Sequence, residues 1–312
     1  MKTRFRCDVF FSLVALASIF CVPARAAFLN VSGSPGDSVS PDIAVGPGGV
    51  AHIVWSDATG GTSRILYRTW TPSSWGEIRA VSDGECEAAR PSVEVDPDGT
   101  LFIAWQEEHQ SASKIYACLS DGETFLPFPV APELGGEHVT PRVHCRPDGS
   151  HWVSWLSALG DLWVSDLDQN WKLDEPGMCL ERRSVLAEVS GRLVLVSGTQ
   201  GDEGECDLRD FLWEGSYWNF PAGDRPGGGF ELDGTSLVGS DVVHLASHPG
   251  ALPACPCWDL VYTCWNPLTE WTQEVMSETF SEWWFCTQPS VAVDSEDRAV
   301  AAYMYEELDA LW

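Results

Sequence analysis

Alternation of apolar and polar positions organises this chain. In Pro91 to Trp105, Val93 and Val95 alternate with Ser92, Glu94 and Asp96, the period of a half-buried strand. Asp96-Pro97-Asp98-Gly99 then interrupts the pattern with a turn, because proline presets φ and glycine accepts a positive φ. Thr100 to Trp105 returns to β-branched and aromatic residues, a second strand. The stretch predicts a β-hairpin. The same layout stands 50 residues earlier, Pro41 to Trp55 with Gly46-Pro47-Gly48-Gly49 at the turn, and 50 residues later, Pro141 to Trp155 with Arg146-Pro147-Asp148-Gly149. Three copies in register define a repeat.

Each copy continues in the same way. Ile65-Leu66-Tyr67, Ile115-Tyr116 and Leu162-Trp163-Val164 predict a third strand, and Trp75, Phe125 and Trp171 open a fourth after a turn. Four short strands per repeat are the pattern of a propeller blade. Two further copies are degraded: Arg183 to Ser197 lacks the proline and the tryptophan, and Thr235 to Ala246 keeps only its apolar residues around His244, with Leu260 to Trp265 and Trp271 behind it. Pro289 to Asp294 and Arg298 to Tyr303 form a clear sixth, and Asp309 to Trp312 begins its third strand.

The pattern predicts an all-β chain, a propeller of six four-stranded blades in one domain over residues 27–312, with Phe28 to Ser32 supplying the strand that closes the last blade. The alternative is a ring of seven or eight blades of which this sequence carries part. No long helix and no interdomain linker are expected. Gly223 to Gly229 is a flexible loop without the strand–helix context of a nucleotide fingerprint, so no cofactor is implied.

The start of the chain changes the expected compartment. Lys2, Arg4 and Arg6, an apolar run from Val9 to Val22 and Ala24-Arg25-Ala26 have the layout of a signal peptide cleaved before Ala27. Export, to the periplasm or the medium, follows. Without Lys2, Arg4, Arg6, Arg25 and Asp8 the balance is 14 basic against 45 acidic residues, net −31. Such a surface repels nucleic acid and anionic membranes. No later apolar run is long enough for a membrane-spanning helix. A monomer is expected.

Nine cysteines follow the leader, and in an oxidising compartment some should pair. Cys255-Pro256-Cys257 is too close for a relaxed mutual disulfide, and no second cysteine or histidine pair completes a zinc set by spacing. No metal site is assigned from the sequence.

Two groups of residues carry candidate chemistry. If Ile43, Val93, Val143, Val185 and Val291 face neighbouring blades, the alternate positions of the inner strands face elsewhere, and Asp42, Glu94, Arg142 and His144 gather near one end of the central channel. Acid, base and cation in one cleft are the minimum for glycoside chemistry or anion binding, and structural salt links would use the same residues. The second group is aromatic. Trp55, Trp105 and Trp155 recur at one blade position, where they fill the wedge between blades or stack against a sugar ring. Trp283-Trp284 stands outside the repeat, in a predicted loop, and is a candidate ligand contact.

Ser120-Asp121-Gly122-Glu123-Thr124-Phe125 resembles the Asp box of the sialidase-like propellers with BNR-type repeats, one residue short. The corresponding turns at Thr71 to Trp75, Asp166 to Trp171 and Pro267 to Trp271 keep only the aromatic. The resemblance covers residues 28–312 and implies a propeller in which the box is a structural turn. A sialidase of that family would also need three arginines for the substrate carboxylate, an acid–base aspartate and a tyrosine nucleophile supported by a glutamate. The twelve arginines after the leader, Arg64 to Arg298, match no such set, and the family's early Arg-Ile-Pro motif is absent. The repeat length is also similar to that of six-bladed fucose lectins. The expected function is an exported, non-catalytic propeller that binds a glycan or an extracellular protein; a sialidase-like glycoside hydrolase and an architectural module are the alternatives.

Overall fold

The computed structural model describes residues 30–109, 112–130, 136–173, 184–200, 206–219, 232–235, 242–247, 261–266, 270–275, 284–293 and 299–307. Antiparallel strands follow one another in sequence order. The first sheet holds β1 (Ser38–Val45), β2 (Ala51–Asp57), β3 (Arg64–Thr71) and β4 (Ser74–Trp75), with β5 (Arg79–Ala80) also on β3. The second holds β6 (Glu87–Val95), β7 (Leu101–His109), β8 (Ala112–Ser120) and β9 (Phe128–Pro129). The third holds β10 (His138–Cys145), β11 (His151–Ser157), β12 (Leu162–Ser165) and β13 (Asn170–Leu173).

The degraded copies fold the same way. The fourth sheet holds β14 (Ser184–Val189), β15 (Arg192–Gln200), β16 (Cys206–Trp213) and β17 (Trp218–Asn219). The fifth holds β18 (Leu232–Thr235), β19 (Val243–Ser247), β20 (Val261–Asn266) and β21 (Glu270–Val275). Its first strand ends where the sequence pattern places its beginning, so a longer connection replaces the tight turn. Among the described residues the sixth sheet has two strands, β22 (Trp284–Val293) and β23 (Ala299–Glu307). The first strands β1, β6, β10, β14, β18 and β22 lie side by side in succession, as the inner strands of propeller blades do. Of the predicted closing strand, the described part from Asn30 to Ser32 is a bend rather than a strand, tied to the first sheet by Arg68 Nη1, which donates to the Val31 carbonyl at 2.7 Å.

The repeated proline marks a bulge. Pairing slips by one residue between Val39 and Asp42, Ala89 and Ser92, Val139 and Arg142, and Thr287 and Ser290. Ser40, Arg90 and Thr140, each just before the proline, take φ of 51°, 53° and 53°. Proline has no N–H for the ladder, so the extra residue of a bulge is where it fits. A left-handed non-glycine residue costs about 1–2 kcal/mol, which sheet pairing on both sides must offset. The hairpin turns follow the sequence reading: Gly49, Gly99 and Gly149 have φ of 75°, 92° and 83°.

Packing between sheets forms the core. Val54, Ile65 and Tyr67 of the first sheet pack with Val93, Ile103 and Trp105 of the second. Phe102 and Ile115 pack with Val143, Val153 and Trp155 of the third. Trp152, Leu162 and Val164 meet Leu186, Phe211 and Trp218 of the fourth, and Val185 and Val194 meet Val243 and Leu245 of the fifth. Val93, Val143, Val185 and Val291 are buried as predicted, whereas Ile43 is 57% exposed. The first sheet is the difference: no described sheet covers that face of β1. Cys86, Cys118 and Cys145 are free thiols, so the expected disulfide pairing is not found among the described residues.

Candidate functional site

The sequence grouped Asp42, Glu94, Arg142 and His144, and the structure brings them together as pairs on the inner strands. Asp42 Oδ2 accepts the Val93 amide at 2.9 Å and lies 3.7 Å from Arg142 Nη1. Arg142 reaches from the third sheet to the first because the residue between them, Ser92, is small; the Ser92 hydroxyl accepts the Val143 amide at 3.3 Å. Glu94 Oε2 accepts the Cys145 amide at 2.6 Å, and its carboxylate lies 3.3 Å from His144 Nδ1. Each acceptor thus bonds the main chain of the next inner strand, 51 positions on, so the set laces neighbouring blades. Arg142 Nε and His144 Nε2 are buried and have no protein partner.

The tryptophans divide. Trp105 and Trp155 are fully buried and present no ring face to a ligand. Their indole N–H groups donate internally, to Glu107 Oε1 at 3.3 Å and His138 Nδ1 at 3.0 Å. Trp55 is also largely buried, but it lines a cavity of about 290 Å³ with Asn30, Val31, Ser32, Ser38, Pro41 and Ile53, and its Nε1 has no protein acceptor. Asn30 Oδ1 accepts from the Ser32 amide, the Ser32 hydroxyl and the Gly33 amide, which holds the bend against this cavity. Trp284 begins β22 rather than a loop, and Trp283 lies outside the described residues.

Sequence reasoning missed an aromatic cluster and a turn. Trp152, Trp171 and Trp213 meet with centroids 4.8 to 5.5 Å apart, and Trp218 joins them. Trp213 and Trp218 belong to the degraded fourth copy, where the repeat pattern hid them. In the Asp box, Ser120 Oγ accepts the Gly122 amide and donates to the Thr124 carbonyl, while Asp121 Oδ1 accepts the Glu123 amide. Ser165 and Asp166 make the equivalent bonds in the third sheet, with Leu167 at φ 75° where Gly122 stands at 86°. That turn therefore keeps more than its aromatic; leucine in the glycine place concealed it.

No protein-family model matches the sequence, and no curated protein matches it. Solved structures do match the fold. A Hadza microbial sialidase aligns over 88% of this chain and 66% of its own, at 13% identity and a TM-score of 0.59. The intramolecular trans-sialidase of leech aligns over 86% of this chain and 65% of its own, at 9% identity and a TM-score of 0.59. The intramolecular trans-sialidase of Ruminococcus gnavus aligns over 88% and 95%, at 8% identity and a TM-score of 0.58. This chain has the sialidase-like β-propeller fold. It spans about two thirds of the length of the first two of these structures. In this sialidase-like propeller, two other arginines are engaged away from the inner strands: Arg79 pairs with Glu123 at 2.6 Å, and Arg68 lies over the Trp75 ring, 5.0 Å from its centroid. Arg146, just after β10, reaches Glu188 of the inner strand β14 at 3.0 Å and adds to the lacing.

Proposed function

We propose that this chain is an exported, non-catalytic sialidase-like propeller that binds a glycan. One observation carries the reading: Asp42 and Glu94, the carboxylates best placed for glycoside chemistry, are committed to main-chain amides of the next blade. A carboxylate bonded to a main-chain amide of the neighbouring strand is held in the lacing between blades rather than presented to a glycosidic oxygen. The glycan site is the Trp55 cavity, whose volume of about 290 Å³ suits one sugar ring and whose hydroxyl-bearing Ser32 and Ser38 and orphan indole N–H suit sugar oxygens. The cavity opens on the face of the first sheet that carries Ile43 and Ile53, so in the six-bladed ring of this reading it is a site between the first and last blades.

A glycan array tests it, with the full precursor expressed for export and then purified, read for retained protein and for loss of terminal sugars. Retention without trimming is the expected result. Trp55→Phe keeps most of the ring volume while removing the N–H, and should weaken binding about tenfold, the scale of one hydrogen bond to a buried group. Trimming that disappears in Glu94→Gln would sink the non-catalytic reading and make the chain a hydrolase. Absence of binding by folded protein would sink the glycan reading itself.

A further inference from the structure

The Pro91 bulge has a chemical consequence at the far end of its hairpin. Before the bulge, Glu87 pairs with Glu108 and Ala88 with Glu107; just beyond, Cys86 meets His109. Alternation puts Trp105, Glu107 and His109 on one side of β7. Cys86 Sγ lies 3.4 Å from His109 Nδ1, and His109 Nε2 lies 3.1 Å from Glu107 Oε2. The candidate ligand atoms of the three residues all fall within 4.8 Å of one another. They open on a cavity of about 160 Å³ shared with Asp83, Glu85, Tyr116 and Pro127.

We propose that this cavity is a binding site for a divalent cation of the zinc class, with Cys86 Sγ and His109 Nδ1 as ligands and Glu107 as the carboxylate that orients the imidazole. A proton on Nε2 bonded to Glu107 leaves the Nδ1 lone pair facing the thiol, the arrangement in which a metal-bound histidine is held. Sulfur and nitrogen bound to one tetrahedral zinc stand about 3.5 Å apart, close to the separation already present. Thiolate with imidazole selects zinc over calcium or magnesium. Asp83, Glu85 and water share the cavity and fill the remaining positions. The volume admits an ion with a few waters.

Charge points the same way. Glu107 is 7% exposed, and no lysine or arginine lines the cavity. Loading releases the thiol proton to solvent. The ion would clamp the loop entering β6 to β7.

Cobalt(II) reports the site directly. Titrated into the purified full chain, it should reach one equivalent and give a thiolate-to-cobalt charge-transfer band, with a rise in Tm when zinc replaces it. Cys86→Ser should abolish the band, His109→Gln should lower affinity at least tenfold, and Glu107→Gln should lower affinity 10–100-fold while keeping the band. His151→Gln, in the separate Asp96, Cys145 and His151 cluster, should change nothing. Absence of the band in folded wild-type protein, its survival in Cys86→Ser, or its loss in His151→Gln overturns the proposal.

Discussion

At the residue scale, one carboxylate decides how the first sheet responds to acid. Asp57 is buried, and burial by itself would raise its pKa. Hydrogen bonds from Thr59, Ser38 and Ser34 outweigh that and bring it from the ordinary 3.8 down to about 2. A depressed folded value means the anion favours the native state. Its contribution, about 2 kcal/mol, is complete above the unfolded value near pH 4 and is lost as pH falls through 2. Wild-type Tm should therefore drop more steeply than that of Asp57→Asn between pH 5 and pH 2, so that the gap between the two narrows with acid. Parallel curves in a pH series of thermal melts would assign the hydrogen bonds no preference for the anion. The same residue joins Ser34, Ser38 and Thr59 and so holds the segment beside the Trp55 cavity.

At the element scale, the unit is an inner strand with its lacing to the next. Glu94→Ala leaves the Cys145 amide without its acceptor and His144 without its carboxylate, and should cost about 1–3 kcal/mol. Glu94→Gln keeps an acceptor and should cost less than half as much. Urea denaturation of both variants checks this, and equal losses would mean that the His144 contact, not the amide bond, carries the lacing. These elements were legible where the hydrophobic period was intact. The period-2 pattern, the turn at Gly99 and the buried Val93 and Val143 all follow from local chemistry. The contact of Cys86 with His109 did not, because it depends on a one-residue slip at Arg90-Pro91 that no local period shows. The candidate acids were found for the right reason, alternation on inner strands, but their role was not. Whether an acid faces a backbone amide or open space is settled by the neighbouring blade, 51 positions away.

At the scale of the whole molecule, the question is what covers the first sheet. Ile43 and Val45 form an apolar strip on one face of β1, 57% and 67% exposed, while Val93, Val143, Val185 and Val291, at the place of Ile43 in other sheets, are 3% to 6% exposed. A strand that carries the repeat's interface residues without an interface is under strong hydrophobic drive to acquire one, at roughly 1.5–3 kcal/mol per large side chain covered. Closure of the proposed six-bladed ring over this strip supplies the cover. Ile43→Asp then buries an unpaired charge and should lower Tm as severely as Val143→Asp, its counterpart in an interface already formed. A surface position would instead respond by no more than about 0.5 kcal/mol. Paired melts of the two variants separate the cases: matched losses mean that the ring is closed in solution, and an unperturbed Ile43→Asp beside a crippled Val143→Asp means that the first sheet stands as an open face.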